Sequence, residues 1–292
     1  MQSNWFKKFG PGLLVTAAFI GPGTVTKATT AGAHFGYALL WAVAFSVFAT
    51  IVFQEMASRL GIVTKAGLGE AIRDTISQPI LRTLSLALVV TAIVVGNAAY
   101  QAGNIAGAAA GLTSLAGIAS PTLLSISIGV IAFIVLMLGR YQVLQNVLIG
   151  LVVAMSCVFL ATAIAVRPDW PSILRGMVTP AIPDGGLQEV LALIGTTVVP
   201  YNLFLHASSA ATQWPEREQV AKSLTESRVD TTLSVTLGGL VTMAIIAAAS
   251  AAFFNTGSKF TGLADAAGQL EPILGSYSRW LFGGGLFAAG LT

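Results

Sequence analysis

Long apolar runs, broken only by brief polar stretches, dominate the order of residues in this chain. They predict helical spans near residues 11–33, 36–60, 83–112, 120–139, 142–166, 187–212 and 229–254, with a further one beginning near Ser278 and running to Thr292. The first seven run 20 to 30 residues, enough to cross ~30 Å of hydrocarbon, which takes roughly 20. Strand alternation is absent, and in lipid a helix satisfies all its own backbone groups, so the pattern predicts an all-α membrane protein. Leu68–Ser77, with Glu70, Arg73 and Asp74, predicts a short interfacial helix. Pro168, Pro171, Pro180 and Pro183 exclude one continuous helix over 167–186, which reads as an ordered surface loop.

Composition agrees with the pattern. Of 292 residues 55% are hydrophobic and 9% charged, with a mean hydropathy of +0.80. A soluble domain carries about 25% charged residues. No Asp, Glu, Lys or Arg occurs between Arg82 and Arg140, or from Val190 to Pro215. The net charge of +3 is scattered over loops rather than gathered on a stripe, which argues against a nucleic-acid partner. The single Cys157 excludes an intramolecular disulfide. No cleavable signal peptide is evident behind Lys7 and Lys8.

The loop charges set an orientation. With the N-terminus inside, the inner loops hold Lys7, Lys8, Arg59, Lys65, Arg73, Arg82, Arg140, Arg217, Lys222 and Arg228. The outer ones hold Arg167, Arg175, Lys259 and Arg279. This excess favours a cytoplasmic N-terminus in a cell inner (cytoplasmic) membrane.

Two spans carry a breaking motif. The first reads Gly21-Pro22-Gly23-Thr24 and the sixth Thr196-Thr197-Val198-Val199-Pro200-Tyr201-Asn202. Proline lacks an N–H and crowds the preceding turn, so both helices should unwind and expose peptide groups near the bilayer midplane. Interrupted helices opening each of two sets of five spans are the mark of an inverted-repeat transporter, whose half-helix ends face a small solute. Ordinary proline kinks are the alternative. On the third span Asn97, Tyr100 and Asn104 share a helical face, either bonding across helices or lining a polar path. Gly103, Gly107 and Gly111 form a small-residue stripe for close packing. His206, past the second break, is an interhelical donor or a proton carrier. Glu55 and Asp230 are expected to pair with Arg59 and Arg228.

The motifs Gly10-Pro11-Gly12-Leu13-Leu14, Phe35-Gly36-Tyr37 and Arg59-Leu60-Gly61-Ile62-Val63-Thr64 resemble those of the Nramp divalent-metal transporters. So do Pro168-Asp169-Trp170, Asn202-Leu203-Phe204-Leu205-His206 and Glu226-Ser227-Arg228-Val229-Asp230. The resemblance implies a LeuT-type bundle of two inverted five-helix repeats within one transmembrane transporter domain. The first repeat would cover about 10–166 and an incomplete second repeat about 187–292. The family has eleven or so helices, so the uncapped apolar end at Thr292 reads as that of a fragment.

The departures are informative. Gly21-Pro22-Gly23-Thr24 stands where the family has Asp-Pro-Gly-Asn, and Val199-Pro200-Tyr201 where it has Met-Pro-His. An acidic pair of the third helix falls on Asn97 and Tyr100. A site lacking thioether and carboxylate suits a hard or partly hydrated ion such as Mg²⁺ or Mn²⁺. The implied ligands are Gly21, Thr24, Thr196 and Val199, with Gly21, Thr24 and Val199 on the metal. Asn97, Tyr100, Tyr201, Asn202 and His206 would line the cavity. Lys27, about one turn past the break, opposes a cation unless it points away, and favours an organic solute or anion as the other cargo. No cofactor is expected. No cluster of histidine, carboxylate and nucleophile occurs within the spans, so an enzyme is not expected either.

Overall fold

The computed structural model describes residue 12 and residues 20–116, 120–137, 141–214, 219–258, 260, 275–277 and 279–291. Most of the first half of the span at 11–33 lies outside the described residues, as do Lys7, Lys8, Arg140, Arg217 and Lys259. Among the described residues the structure is helical and has no strand.

The helices are α1 Pro22–Phe35, α2 Leu40–Thr64, α3 Leu68–Thr75, α4 Pro79–Ala116, α5 Pro121–Met137 and α6 Tyr141–Ala165. They continue with α7 Trp170–Val178, α8 Leu187–Thr197, α9 Pro200–Gln213, α10 Val220–Ala249 and α11 Gly284–Leu291. A π-helical turn, Ser250–Phe254, extends α10. By length and composition α2, α4, the α8–α9 stretch and α10 are each able to cross a membrane.

One expectation needs correction, and another holds for two of its three residues. The segment 167–186 is not wholly a loop, because α7 forms within it. Pro171 sits in its first turn, where a missing N–H costs nothing, and the helix stops before Pro180. The segment is pinned over the start of α2 by the Trp41 indole, which donates to the Ala181 carbonyl at 2.8 Å. In the glycine stripe, Gly103 faces open space. Gly107 and Gly111 do serve close packing, the first against Pro22 of α1 and the second against the backbone of Gly283 and Phe287 before and within α11.

The core lies where α1 and α2 pack on α10, with α8 and α9 closing beside them. Ile20, Val25, Leu39, Leu40, Leu193, Val235, Ile245 and Ile246 fill it. On the other side α11 packs against α4 and α6. The outer faces of α4 and α5 remain apolar and uncovered, with Leu88 at 72% and Phe133 at 64% exposure. A soluble monomer rarely tolerates such a surface, whereas lipid tails solvate it.

Gly61 sets how closely α2 approaches α9: a Cβ there would lie 2.0 Å from the Ala207 carbonyl oxygen. Backbone cannot yield as a side chain does. Gly61→Val is therefore expected to cost at least about 3 kcal/mol, the upper range for overpacking. A thermal melt in detergent checks this, and an unchanged midpoint would show that the two helices separate freely.

Candidate functional site at the two helix breaks

Both prolines begin new helices rather than bend old ones. Pro22 and Pro200 each occupy the first turn, preceded by an extended residue, Gly21 (φ −103°, ψ 179°) and Val199 (φ −94°, ψ 119°). Proline at that position has its φ preset and no donor to waste. Upstream of the second break, α8 closes with Val198 N–H donating to Ile194 at 2.8 Å. The Thr196 carbonyl would normally bond to the N–H of residue 200, but Pro200 has none. Tyr100 on α4 donates its hydroxyl to that oxygen at 3.4 Å. The next carbonyl, Thr197, accepts from Thr50 Oγ1 at 3.4 Å.

The Thr196 and Thr197 carbonyls thus each accept a side-chain hydroxyl in place of a backbone N–H. Gly21 and Val199 each already accept one backbone N–H, from Val25 at 3.0 Å and Asn202 at 3.2 Å, leaving one lone pair apiece.

Tyr100 connects the two breaks, for its phenol also hydrogen-bonds Thr24, which is fully buried in the first turn of α1. Its ring meets Tyr201 edge-on, with centroids 6.0 Å apart. A Cβ on Gly21 would stand 2.9 Å from Asn104 Oδ1 and 3.7 Å from Tyr100 Cε1. The structure therefore brings Gly21, Thr24, Tyr100, Asn104, Thr196 and Tyr201 together, while Asn97, one turn back on α4, is exposed. Two polar groups carry open capacity: buried Asn104 Oδ1 and both side-chain atoms of buried Asn202 lack a hydrogen-bond partner. A buried polar atom left unpaired costs about 1–3 kcal/mol, so such atoms mark places where a guest or water is welcome.

His206 lies fully buried one turn along α9 from Asn202, and its Nδ1 pairs with Gln54 Oε1 of α2 at 2.9 Å. That is an interhelical hydrogen bond; Nε2 has no partner. Gln54 escaped the sequence reading although a lone amide in an apolar span was the signal for it.

At the next residue of α2, Glu55, the expected pairing is partly rearranged. Glu55 holds both arginines, Arg59 Nη2 at 2.6 Å and Arg228 Nε at 2.8 Å. Asp230 turns instead to the Gly12 backbone N–H at 2.7 Å, tying the start of the first span to α10. Lys27 also has a partner that periodicity did not reveal: Glu189 Oε1 lies 3.4 Å from its Nζ. Among the described residues no three His, Cys, Asp or Glu side chains converge to hold a metal.

Residues 12–292 match the sequence profile described as natural resistance-associated macrophage protein-like, Nramp. The chain belongs to the Nramp family. Among its relatives, the divalent metal cation transporter MntH of Yersinia pestis (strain Pestoides F) is 33% identical over 289 residues, covering 97% of this chain and 68% of that protein. MntH of Aeromonas hydrophila is 31% identical over 287 residues, covering 97% and 69%. A crystal structure of the Eremococcus coleocola manganese transporter, bound to an aromatic bis-isothiourea compound, superposes with a TM-score of 0.82 at 25% identity. That match covers 99% of this chain and 63% of the other, so this Nramp chain spans less than two thirds of that transporter's length. The fold is the LeuT-type bundle of these transporters.

Proposed function

We propose that this Nramp chain carries a divalent metal cation through the membrane by alternating access, with Mg²⁺ or Mn²⁺ as the ion. The observation that supports this most is the pairing of the two breaks through Tyr100, which gathers peptide and hydroxyl oxygens from both half-helices at one place. The donors would be the carbonyls of Gly21 and Val199 and the hydroxyls of Thr24 and Thr196. Asn97, Tyr100, Tyr201, Asn202 and His206 would line the way to them. All of these ligands are oxygens, which suit hard ions; no thioether is available to favour softer ones. With no carboxylate beside Gly21, a partly hydrated ion costs least to hold. The two repeats would divide at about 10–166 and 187–292, and the N-terminus would face the cytoplasm from the inner membrane.

An organic solute or anion as cargo draws support from Lys27 and from the loss of the family's metal ligands. The Glu189 carboxylate beside that ammonium weakens the first of these, since the pair is neutral. Proton coupling is expected to be weak because Asn97 and Tyr100 stand where the family carries acids.

Uptake of Mn²⁺ and Mg²⁺ into liposomes holding the full-length protein tests the reading. Saturable uptake of either ion is expected. Uptake of neither, with a carboxylate or amino acid taken up instead, would overturn it.

A further inference from the structure

We infer that Glu189 is an outer cation-recruiting subsite, held at rest by the Lys27 ammonium. The inference rests on the cation reading and adds to it a residue outside the breaks. Glu189 stands in the first turn of α8 and Lys27 in the second turn of α1. At 1.5 Å of rise per residue, they lie about 8 to 12 Å along their helices from the two breaks. Each belongs to the half-helix whose other end forms the candidate site.

The geometry is asymmetric. Lys27 Nζ reaches only Oε1, at a loose 3.4 Å. Oε2 is buried and has no hydrogen-bond partner. The Glu189 side chain is 15% exposed against 35% for Lys27. The carboxylate is thus the enclosed member with spare capacity. The ammonium, on a flexible stem, can return to water at small cost.

The breaks themselves offer neutral oxygens, which attract an ion only at close range. Among α1, α8 and α9, Glu189 is the single carboxylate. It is therefore the group on these helices able to draw a cation from a distance. A hydrated divalent ion is commonly held by one carboxylate through its waters. Its double charge outcompetes the ammonium at equal distance. Lys27 then acts as a tethered stand-in for the cargo, keeping the carboxylate compensated when no ion is present.

The test compares Mn²⁺ uptake by full-length wild type, Glu189→Gln, Lys27→Met and the exchange Lys27→Glu/Glu189→Lys, each checked by thermal melting. Glu189→Gln is expected to raise KM about tenfold with kcat within about twofold, and Lys27→Met to lower KM about threefold. The exchange should behave like Glu189→Gln, because the carboxylate has moved to the other helix. If the pair is merely a clamp between helices, both single variants melt earlier, KM holds, and the exchange restores stability; that overturns the inference. A rise in KM on removing Lys27 would overturn it as well. Should wild type take up no metal, the cation reading fails separately. Mn²⁺ binding to solubilised protein, followed by electron paramagnetic resonance, then decides: a bound ion lost in Glu189→Gln supports the subsite, and unchanged or absent binding overturns it.

Discussion

Replacing Pro200 by alanine is expected to abolish metal uptake while leaving a folded, membrane-inserted protein. Alanine supplies the N–H that the Thr196 carbonyl lacks, so α8 and α9 can join as one helix. A proline interior to a helix is worse than alanine by about 3 kcal/mol, and releasing that constraint favours the continuous form by roughly a hundredfold. Joining takes the Thr196 oxygen away from Tyr100 and turns Tyr201 and Asn202 off the cavity. Uptake should fall about a hundredfold with the thermal midpoint unchanged or raised. Wild-type rates from a well-folded Pro200→Ala protein would show that the open carbonyls merely accommodate a bend.

The second large effect is a gain. Gly21→Asp restores the acid that the family carries at this position, and it is expected to lower the KM for Mn²⁺ by about ten- to a hundredfold. A carboxylate about 4 Å from a unit charge contributes ~4 kcal/mol at an effective dielectric of 20, and desolvation of the acid returns much of it. The start of α1 also favours a negative charge through its unpaired N–H groups. Space is the opposing factor, because the new Cβ would stand 2.9 Å from Asn104 Oδ1. That oxygen has no partner, so the amide can swing aside at the cost of one long bond, from Nδ2 to Gln101 Oε1 at 3.4 Å. The double variant Gly21→Asp/Asn104→Ala separates crowding from charge: affinity should rise further when the amide is gone. Unchanged affinity in both, with folding intact, would place the ion's path elsewhere.

The breaks were legible in the sequence because their cause is local. Proline removes one donor from one peptide group whatever surrounds it, so Pro22 and Pro200 marked the interruptions before any packing was known. The spans were legible for a similar reason: lipid allows few alternatives to a long apolar helix. Bounds were less so. The third span was expected over 83–112, whereas α4 runs from Pro79 to Ala116, because a helix entering the aqueous interface need not stop where apolar residues do. The helix α7 was hidden by counting prolines without asking where each would sit in a helical turn.

Periodicity could not say which side chains answer the open backbone groups, since it describes one helix at a time. Tyr100 and Asn104 were placed on a shared face of α4, but that this face meets both breaks depends on how α1, α4 and α8 pack. The same holds for Gln54 against His206 and for Glu189 against Lys27, pairs separated by 152 and 162 residues. The order of residues by itself determined that this protein is a helical membrane protein interrupted at two prolines, for hydropathy and a missing N–H act through the chain's own neighbours. Tertiary structure alone decided that Lys27 is neutralised, that Glu55 rather than Asp230 holds Arg228, and that a phenol spans the two breaks. Those outcomes depend on distances between helices, which no single helix encodes.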